Sequence, residues 1–162
     1  MNNKNKDKGI TKNKKSFNNN SKKTKEISKK SQNNKTGNAK NTEITDWFYM
    51  TSSEVNAKSI AQLIETQCHV SVDLWEEMNI LQIQLDNKIT IDFEPMVIHF
   101  KESSDMEFIN NHNIKTIFAV YLASGVLEEE FKNILKVMLK QWNGFLCADS
   151  EDFQPIYGIS DL

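Results

Sequence analysis

The sequence predicts an α+β domain in which a mainly antiparallel sheet carries two helices packed on one face. Several short segments alternate apolar and polar residues, as half-buried strands do. Two longer segments repeat apolar residues at helical spacing and keep a polar side for solvent. Because each element has one apolar and one polar side, helices stacked on a sheet bury the apolar sides of both.

The first predicted strand and helix open the domain. Residues 46–51 (DWFYMT) are rich in aromatic side chains, which favour strands. Residues 53–68 then place Ala, Ile and Cys at helical spacing, which predicts an amphipathic helix. Thr51 and Glu54 match the Thr-x-x-Glu pattern of a capping box and predict where this helix begins.

A predicted hairpin follows. Residues 78–85 and 89–93 both alternate apolar and polar side chains, and the Asp86-Asn87 pair between them is a turn signal. After Pro95, residues 96–100 (MVIHF) alternate again and predict a further short strand.

The second half repeats the strand–helix–strand order. Residues 105–111 are predicted to form a short helix, and 115–122 (KTIFAVYL) the most apolar, central strand. Residues 127–142 carry one continuous apolar stripe, and Gly144 is expected just past the end of this helix. Residues 145–148 form the last strand. The complete order, β-α-β-β-(β)-(short α)-β-α-β, predicts a ferredoxin-like α/β sandwich with an extra strand.

Charge divides the chain into two parts. Residues 1–42 carry thirteen Lys against two acidic residues, a net charge of +11, whereas residues 43–162 carry seven Lys against twenty Asp and Glu, a net charge of −13. The first part has too few apolar residues to offset the entropy of ordering, so the sequence predicts a disordered, Lys/Asn-rich basic tail. The second part is predicted to be one acidic globular domain.

The tail has several possible roles. It lacks the features of a secretory or mitochondrial targeting segment. Each Lys could neutralise a phosphate, which predicts weak, non-specific polyanion binding, but no aromatic residues are interleaved for base stacking and the chain contains no Arg. A nucleic acid, an anionic membrane surface or the acidic part of the chain are candidate partners, and a solvated linker is the alternative.

The sequence carries no motif for catalysis, cofactor binding or metal binding. It has no phosphate-binding glycine loop, no HExxH and no GxSxG. Cys68 and Cys147 are far apart, as are His69, His99 and His112, and none has a second ligand at metal-binding spacing. No apolar run is long enough to span a membrane. These observations predict a non-enzymatic, cytoplasmic protein with reduced thiols and without a cofactor, a metal or a membrane span.

Clustered carboxylates are the positive feature of the acidic domain. The two clusters are Glu128–Glu130, at the start of the second long helix, and Asp149–Asp152, after the last strand. If strands 115–122 and 145–148 are parallel, both clusters lie at one end of the sheet, together with Asp86 and Glu54. Asp73, Glu76 and Glu77 would lie at the opposite end beside Trp75. The predicted partner-binding residues at the acidic end and its aromatic rim are Glu128, Glu129, Glu130, Asp149, Glu151, Asp152, Phe153 and Tyr157.

Simpler interpretations of the same carboxylates remain open. Glu128–Glu130 complement the helix dipole at the start of the long helix, and Asp149–Asp152 can be a solvated loop. A divalent-cation site is a further alternative, although the spacing lacks the glycine and the terminal Glu of an EF-hand.

The acidic domain resembles the small acidic bacterial immunity proteins that neutralise toxins, and the closing segment GFLCADSEDFQPIY, residues 144–157, contributes to this resemblance. The resemblance implies a protein-binding domain of immunity or antitoxin type that neutralises a basic toxin through an acidic surface. A nucleic-acid-associated accessory protein that uses the Lys-rich N-terminal tail is the alternative function.

Overall fold

The computed structural model describes residues 46–162, which form a seven-stranded antiparallel sheet and three α-helices. The strands are β1 (Asp46–Thr51), β2 (Ser71–Trp75), β3 (Ile80–Gln84), β4 (Thr90–Met96), β5 (Thr116–Leu122), β6 (Gly144–Ala148) and β7 (Ile156–Tyr157). The helices are α1 (Ala57–Gln67), α2 (Ser103–Asn111) and α3 (Glu129–Trp142), and a 3₁₀ turn covers Glu76–Met78. The predicted basic tail, residues 1–42, lies outside the described residues.

The strands are arranged in the order β2-β3-β4-β5-β1-β6-β7, and every neighbouring pair is antiparallel. The prediction of an α+β domain with a mainly antiparallel sheet is therefore confirmed. Since β5 and β6 both pair with β1, they run in the same direction, and α3 connects them. Strand β2 lies three strands beyond β5, so α1 connects β1 to the far edge of the sheet.

The ferredoxin-like arrangement does not match this topology. The sequence analysis missed β2, whose Val72 and Leu74 are only half-buried and lie among polar residues. Because β2, β3, β4 and β5 are consecutive neighbours, they form a meander that extends the sheet on one side. The predicted strand at 96–100 is also absent: β4 continues through Pro95 to Met96, and residues 97–100 lie outside any strand.

Two hydrophobic cores cover the two faces of the sheet. The larger core combines α1 and α3 with inward-facing strand residues, and it includes Tyr49, Phe93, Phe118 and Phe131, all of which are fully buried. The rings of Phe93 and Phe131 meet edge to face with centroids 6.1 Å apart, which joins α3 to the centre of the sheet. This face is the one that the helical stripes predicted.

The smaller core lies on the opposite face, beneath α2. It contains Phe48, Ile109, Ile114 and Phe153, with Phe108 packed against them. The prediction that helices cover one face is therefore correct for α1 and α3 only, because α2 covers part of the other face. The short apolar stripe of α2, too weak to predict a packing direction, is completed by apolar residues from the loops around it.

Helix α1 does not begin at the predicted capping box. Helix α1 begins later than predicted, at Ala57, and its cap is Asn56, whose Oδ1 accepts a hydrogen bond from the Ser59 N–H at 2.8 Å. Thr51 belongs to β1, and its hydroxyl donates to the Trp142 carbonyl at 2.6 Å. This bond ties the end of β1 to the end of α3. Helix α2 begins at Ser103, and no side chain caps it with a hydrogen bond.

The residue that ends α3 in the left-handed conformation is Asn143 rather than the predicted Gly144. Asn143 adopts the left-handed conformation that ends the helix, with φ 50°. Gly144 is the first residue of β6, where a Cβ would lie 2.4 Å from the Met50 carbonyl oxygen. A glycine is needed there because β6 approaches β1 closely, a contact that local sequence does not reveal.

Candidate functional site

The topology brings the predicted acidic clusters to one end of the sheet. Strands β3, β5 and β6 run in the same direction and end at the same edge. Asp86 follows β3, Glu128–Glu130 follow β5 and Asp149–Asp152 follow β6. We refer to these three groups as the acidic end. Glu54 does not belong to it, since β1 runs the opposite way and Glu54 follows the other end of that strand.

Glu128–Glu130 open α3 and make defined contacts. Glu128 is the N-cap residue, and its backbone carbonyl accepts from the Lys132 N–H at 3.0 Å. The Lys132 ammonium pairs with Glu129 at 3.1 Å. Both carboxylate oxygens of Glu130 lie 3.2 Å from the Asp86 backbone nitrogen, which donates to them. Helix α3 is thereby linked to the β3–β4 turn.

The loop after β6 holds the second cluster. The Asp149 N–H donates to the Asp46 carbonyl at 3.0 Å, which extends the pairing of β6 with β1. Asp152 Oδ1 accepts from the Ser150 hydroxyl and from the Gln154 N–H, each at 3.1 Å. Asp152 therefore shapes the loop, while its side chain and that of Glu151 remain exposed.

Of the two aromatic residues predicted for the rim, Phe153 is buried and Tyr157 is half-buried. Phe153 is 3% exposed and belongs to the smaller core, where its ring lies 4.6 Å from that of Phe108, centroid to centroid. A partner cannot reach Phe153 in this conformation. Tyr157 is half-buried, with its ring 5.7 Å from that of Trp47. Phe153 follows Asp149–Asp152 in the sequence and was therefore predicted to be exposed. In the structure, the loop turns back and places its ring in the smaller core.

The two clusters of the acidic end lie on opposite sides of the sheet. Cys147 faces the smaller core and Ala148 the larger one, so strand alternation directs Asp149 to the α2 side. Glu128–Glu130 open α3, which packs on the larger core. Asp149 therefore lies on the α2 side of the sheet, whereas Glu128–Glu130 begin a helix that packs on the opposite face.

Strand pairing also creates a row of polar side chains on the α2 side, which we call the acidic row. Tyr121 lies opposite Asp92 on one neighbouring strand and opposite Asp46 on the other. Asp92 is opposite Gln82, which is in turn opposite Asp73. The acidic row, from the β2 edge inward, consists of Asp73, Gln82, Asp92, Tyr121 and Asp46.

The environment of Tyr121 shows how acidic this surface is. Partial burial raises the pKa of the Tyr121 hydroxyl, and the carboxylates of Glu94, Asp46 and Asp149 raise it further. The Gln82 amide donates to Asp92 at 2.6 Å, so one carboxylate of the row is held by a neighbour. No lysine lies in any strand of residues 46–162.

The sequence analysis did not identify this row as a site. The signal was present in β4, where Asp92 and Glu94 alternate with the buried Ile91 and Phe93. Alternation predicts which side of a strand is polar, but not which polar residues meet across strands. Register, which only the sheet shows, places Asp92 beside Tyr121.

The two cysteines differ in burial, and one of them lines a cleft near the acidic end. Burial raises the pKa of Cys147 to about 12, with a smaller contribution from Asp149, and burial also raises the pKa of Cys68. Cys68 lines a cleft of about 450 Å³ together with His69, Asp86 and Glu130. Within residues 46–162, no group of three or more His, Cys, Asp or Glu side chains could hold a metal ion. None of the described helices is long and apolar enough to cross a membrane.

Comparison with protein-family models, with curated proteins and with solved structures finds no match.

Proposed function

We propose that residues 43–162 are a protein-binding domain that docks a basic protein through its acidic surface. The observation that carries the proposal is the net charge of −13 on this part of the chain, with twenty acidic residues against seven Lys. The position of the carboxylates supports it, because several of them gather at the acidic end and others along the acidic row.

Electrostatics explains why such a surface favours a basic partner. Carboxylates held close together repel one another, and a cationic partner relieves this repulsion on binding. Long-range attraction also accelerates the encounter of oppositely charged proteins, and salt screens this effect. The half-buried Tyr157 and the exposed Tyr121 add aromatic contact area near the carboxylates.

The proposed partner class is a basic toxin, in keeping with the resemblance to immunity proteins. Many proteins that act on nucleic acids have basic active sites, and a set of carboxylates can imitate the phosphates such a site binds. An acidic domain that occupies a basic active site would block it without any chemistry of its own.

The experiment begins with affinity capture of the partner from the native host. Its association rate is then measured at low and high salt with the wild-type chain and with the triple variant Asp149→Asn/Glu151→Gln/Asp152→Asn. We expect slower association and a flatter salt dependence for the variant. The loop should persist, because the Asp152→Asn change keeps a side-chain oxygen that can accept the two hydrogen bonds that Asp152 makes.

A matched control removes the same charge from the opposite end of the sheet. The control variant is Glu54→Gln/Glu76→Gln/Glu77→Gln, and we expect it to leave most of the association rate intact. Equal effects of the two variants would show that only net charge matters. An unchanged rate and salt slope in the first variant would contradict docking at the acidic end.

Nucleic-acid association is the second candidate, favoured by the thirteen Lys of residues 1–42. A gel shift of the full chain and of the fragment 43–162 with duplex DNA tests it. We expect the full chain alone to bind, with affinity that falls steeply as salt increases. Equal DNA binding by the full chain and the fragment would exclude a role for the lysines.

The fragment should keep its free energy of unfolding within about 0.5 kcal/mol of the full chain, because no strand or helix pattern in the sequence begins before the domain.

A further inference from the structure

We infer that the outer edge of β2 binds an extended segment of the basic partner as an additional antiparallel strand, with a lysine or arginine opposite Asp73. This inference rests on the proposed function and makes it more specific, because it names the edge of the sheet and the conformation of the segment that binds there. It is carried by the direction of the backbone groups of β2, by the side chains beside them and by the sign of their charge.

The two edge strands of the sheet differ in how well they are protected against pairing. Strand β7 has only two residues; Pro155 precedes it, and the Gly158 N–H donates to the Asp161 carboxylate at 2.7 Å just after it. Strand β2 has five residues, SVDLW, without a proline, and among residues 46–162 only β3 pairs with it. Such an edge is a template for a further strand, because it presents a row of outward N–H and C=O groups.

Hydrogen bonds near the β3–β4 turn establish the direction of the backbone groups in β3. The Leu85 N–H donates to the Ile89 carbonyl at 2.9 Å, so the backbone groups of Leu85 are directed across the turn toward β4. These directions alternate along a strand, so Gln82 directs its groups the other way, toward β2. The Ala123 N–H donates to the Thr90 carbonyl at 3.2 Å, which directs Thr90 toward β5, as the same alternation requires.

The register then identifies the outward groups of β2. Gln82 is opposite Asp73, so these two residues exchange their backbone hydrogen bonds. The neighbours of Asp73, Val72 and Leu74, therefore direct an N–H and a C=O each away from β3. The outer edge of β2 thus presents two donors and two acceptors, alternating along the strand as an antiparallel partner strand requires.

The side chains of β2 divide between the two sides of the sheet. Val72 and Leu74 are half-buried against the larger core, and an apolar residue opposite each of them would cover the rest. Alternation places Asp73 and Trp75 on the α2 side, where both are exposed, Trp75 by 44%. Asp73 and Trp75 would lie at the non-hydrogen-bonded positions of the new pair, where opposite side chains approach most closely. A cation opposite each would contact the carboxylate and the indole ring.

Charge favours a basic segment over a second copy of this chain. In the antiparallel pairing that satisfies the outward groups with residues of β2 alone, Val72 of one copy faces Leu74 of the other. The two Asp73 carboxylates then face each other, and like charges directly opposite destabilise a pair of strands. A lysine of a basic protein at this position is instead attracted. The exposed Glu77, just beyond β2, adds a charge of the same sign as Asp73.

The test measures binding of labelled peptides to the full chain at low salt. The parent peptide is acetyl-Ser-Lys-Val-Lys-Val-Thr-Ser-amide. One derivative is N-methylated on both valines, whose N–H groups would donate to the carbonyls of Leu74 and Val72. The other is N-methylated on both lysines, whose N–H groups would face away from β2. Both derivatives have the same charge and composition, so we expect the first to bind at least fivefold more weakly than the second, because only it loses donors to the sheet.

Two chain variants locate the peptide on β2. Val72→Pro removes an outward N–H and none of the hydrogen bonds to β3, and we expect it to weaken binding of the parent peptide at least fivefold. Asp73→Asn removes the charge opposite the lysine without changing the backbone, and we expect a loss of at least threefold. Glu151→Gln removes the same charge from the acidic end and should change binding less than twofold. If Val72→Pro lowers the melting temperature, Asp73→Asn decides the result.

The outcomes separate the inference from the proposed function. Equal affinity of the two methylated peptides, or an equal effect of Asp73→Asn and Glu151→Gln, would overturn the inference while leaving docking of a basic protein in place. Sedimentation of the full chain without peptide tests the other occupant: a dimer that Val72→Pro converts to a monomer would show that a second copy fills the edge, and would also overturn the inference. Capture of no basic partner, together with no peptide binding at low salt, would overturn both.

Discussion

The two faces of the sheet are built differently, although they share the same strands. The face beneath α1 and α3 is closed, and its core contains twenty buried residues, against eight in the core beneath α2. The face beneath α2 is covered over much of β5, β1 and β6, whereas the side chains of β2 and β3 on that face are exposed or half-buried. The acidic row runs across both parts of this face. The closed face therefore supplies most of the free energy of unfolding, since it buries more apolar residues. This stability offsets the repulsion between the carboxylates on the other face.

The strongest test of this division is truncation of the central aromatic residue of the larger core. Phe131→Ala should lower the free energy of unfolding by about 3–5 kcal/mol, because it removes a fully buried ring that packs on Phe93 and leaves a cavity. Lys132→Ala, one residue on, should cost less than about 1 kcal/mol. Chemical denaturation measures both. Similar losses would mean that the helix faces the sheet with another side.

The smaller core should respond to truncation as well, though less strongly. Phe153→Ala should cost about 3 kcal/mol, near the lower limit for a buried Phe, because a small core beneath a loop can partly collapse into the space. The neighbouring Glu151→Ala is exposed and serves as the control. A loss below about 0.5 kcal/mol for Phe153→Ala would show that this residue is not part of a core.

The pH dependence of stability should reveal the buried thiol of Cys147, which faces the smaller core. The pKa of Cys147 is raised to about 12 from 9.0, so the folded chain holds the proton that the unfolded chain loses. The stabilisation is complete below pH 9 and is lost as pH rises toward 12, at about 1.4 kcal/mol per pH unit. Urea denaturation between about pH 8 and 10.5 should show a shallower decline for Cys147→Ala than for Cys68→Ala. Equal declines would contradict burial of the thiol.

The smallest expected effect concerns a hydroxyl inside the larger core. Tyr49 is fully buried, its hydroxyl has no hydrogen-bond partner of good geometry among the described residues, and burial raises its pKa well above the ordinary value. Tyr49→Phe should therefore raise the free energy of unfolding by up to about 1 kcal/mol. Tyr121→Phe on the open face should change it by less than about 0.5 kcal/mol. A clear loss in Tyr49→Phe would indicate that the hydroxyl is satisfied, for example by a buried water.

Local patterns predicted most of the elements correctly. Residues 46–51, the hairpin and the stripe of α3 were recognisable because each pattern repeats over several residues. Strand β2 was missed because its two apolar residues, Val72 and Leu74, are half-buried at the edge of the sheet. The predicted capping box failed because Thr51 belongs to β1 and its hydroxyl donates a hydrogen bond to the Trp142 carbonyl at the end of α3.

The candidate site was predictable in part. Strand order was enough to expect Glu128–Glu130 and Asp149 at one end, since a helix that connects parallel strands begins where the first strand ends. The same reasoning could not show that Asp149 lies on the opposite face of the sheet from α3, nor that Phe153 returns to a core. The positions of Asp149 and Phe153 both depend on the side of the sheet along which the loop after β6 runs.

The sequence by itself determined the α+β class, the antiparallel sheet, the inward stripes of α1 and α3 and the sign of the surface charge. These properties follow from periodicity and composition, which are local. Only the tertiary structure decided the meander of β2–β5, the cover that α2 provides and the register that aligns Asp73, Asp92 and Asp46. These properties depend on contacts between residues far apart in the chain, where many arrangements satisfy the same local pattern and packing selects one of them.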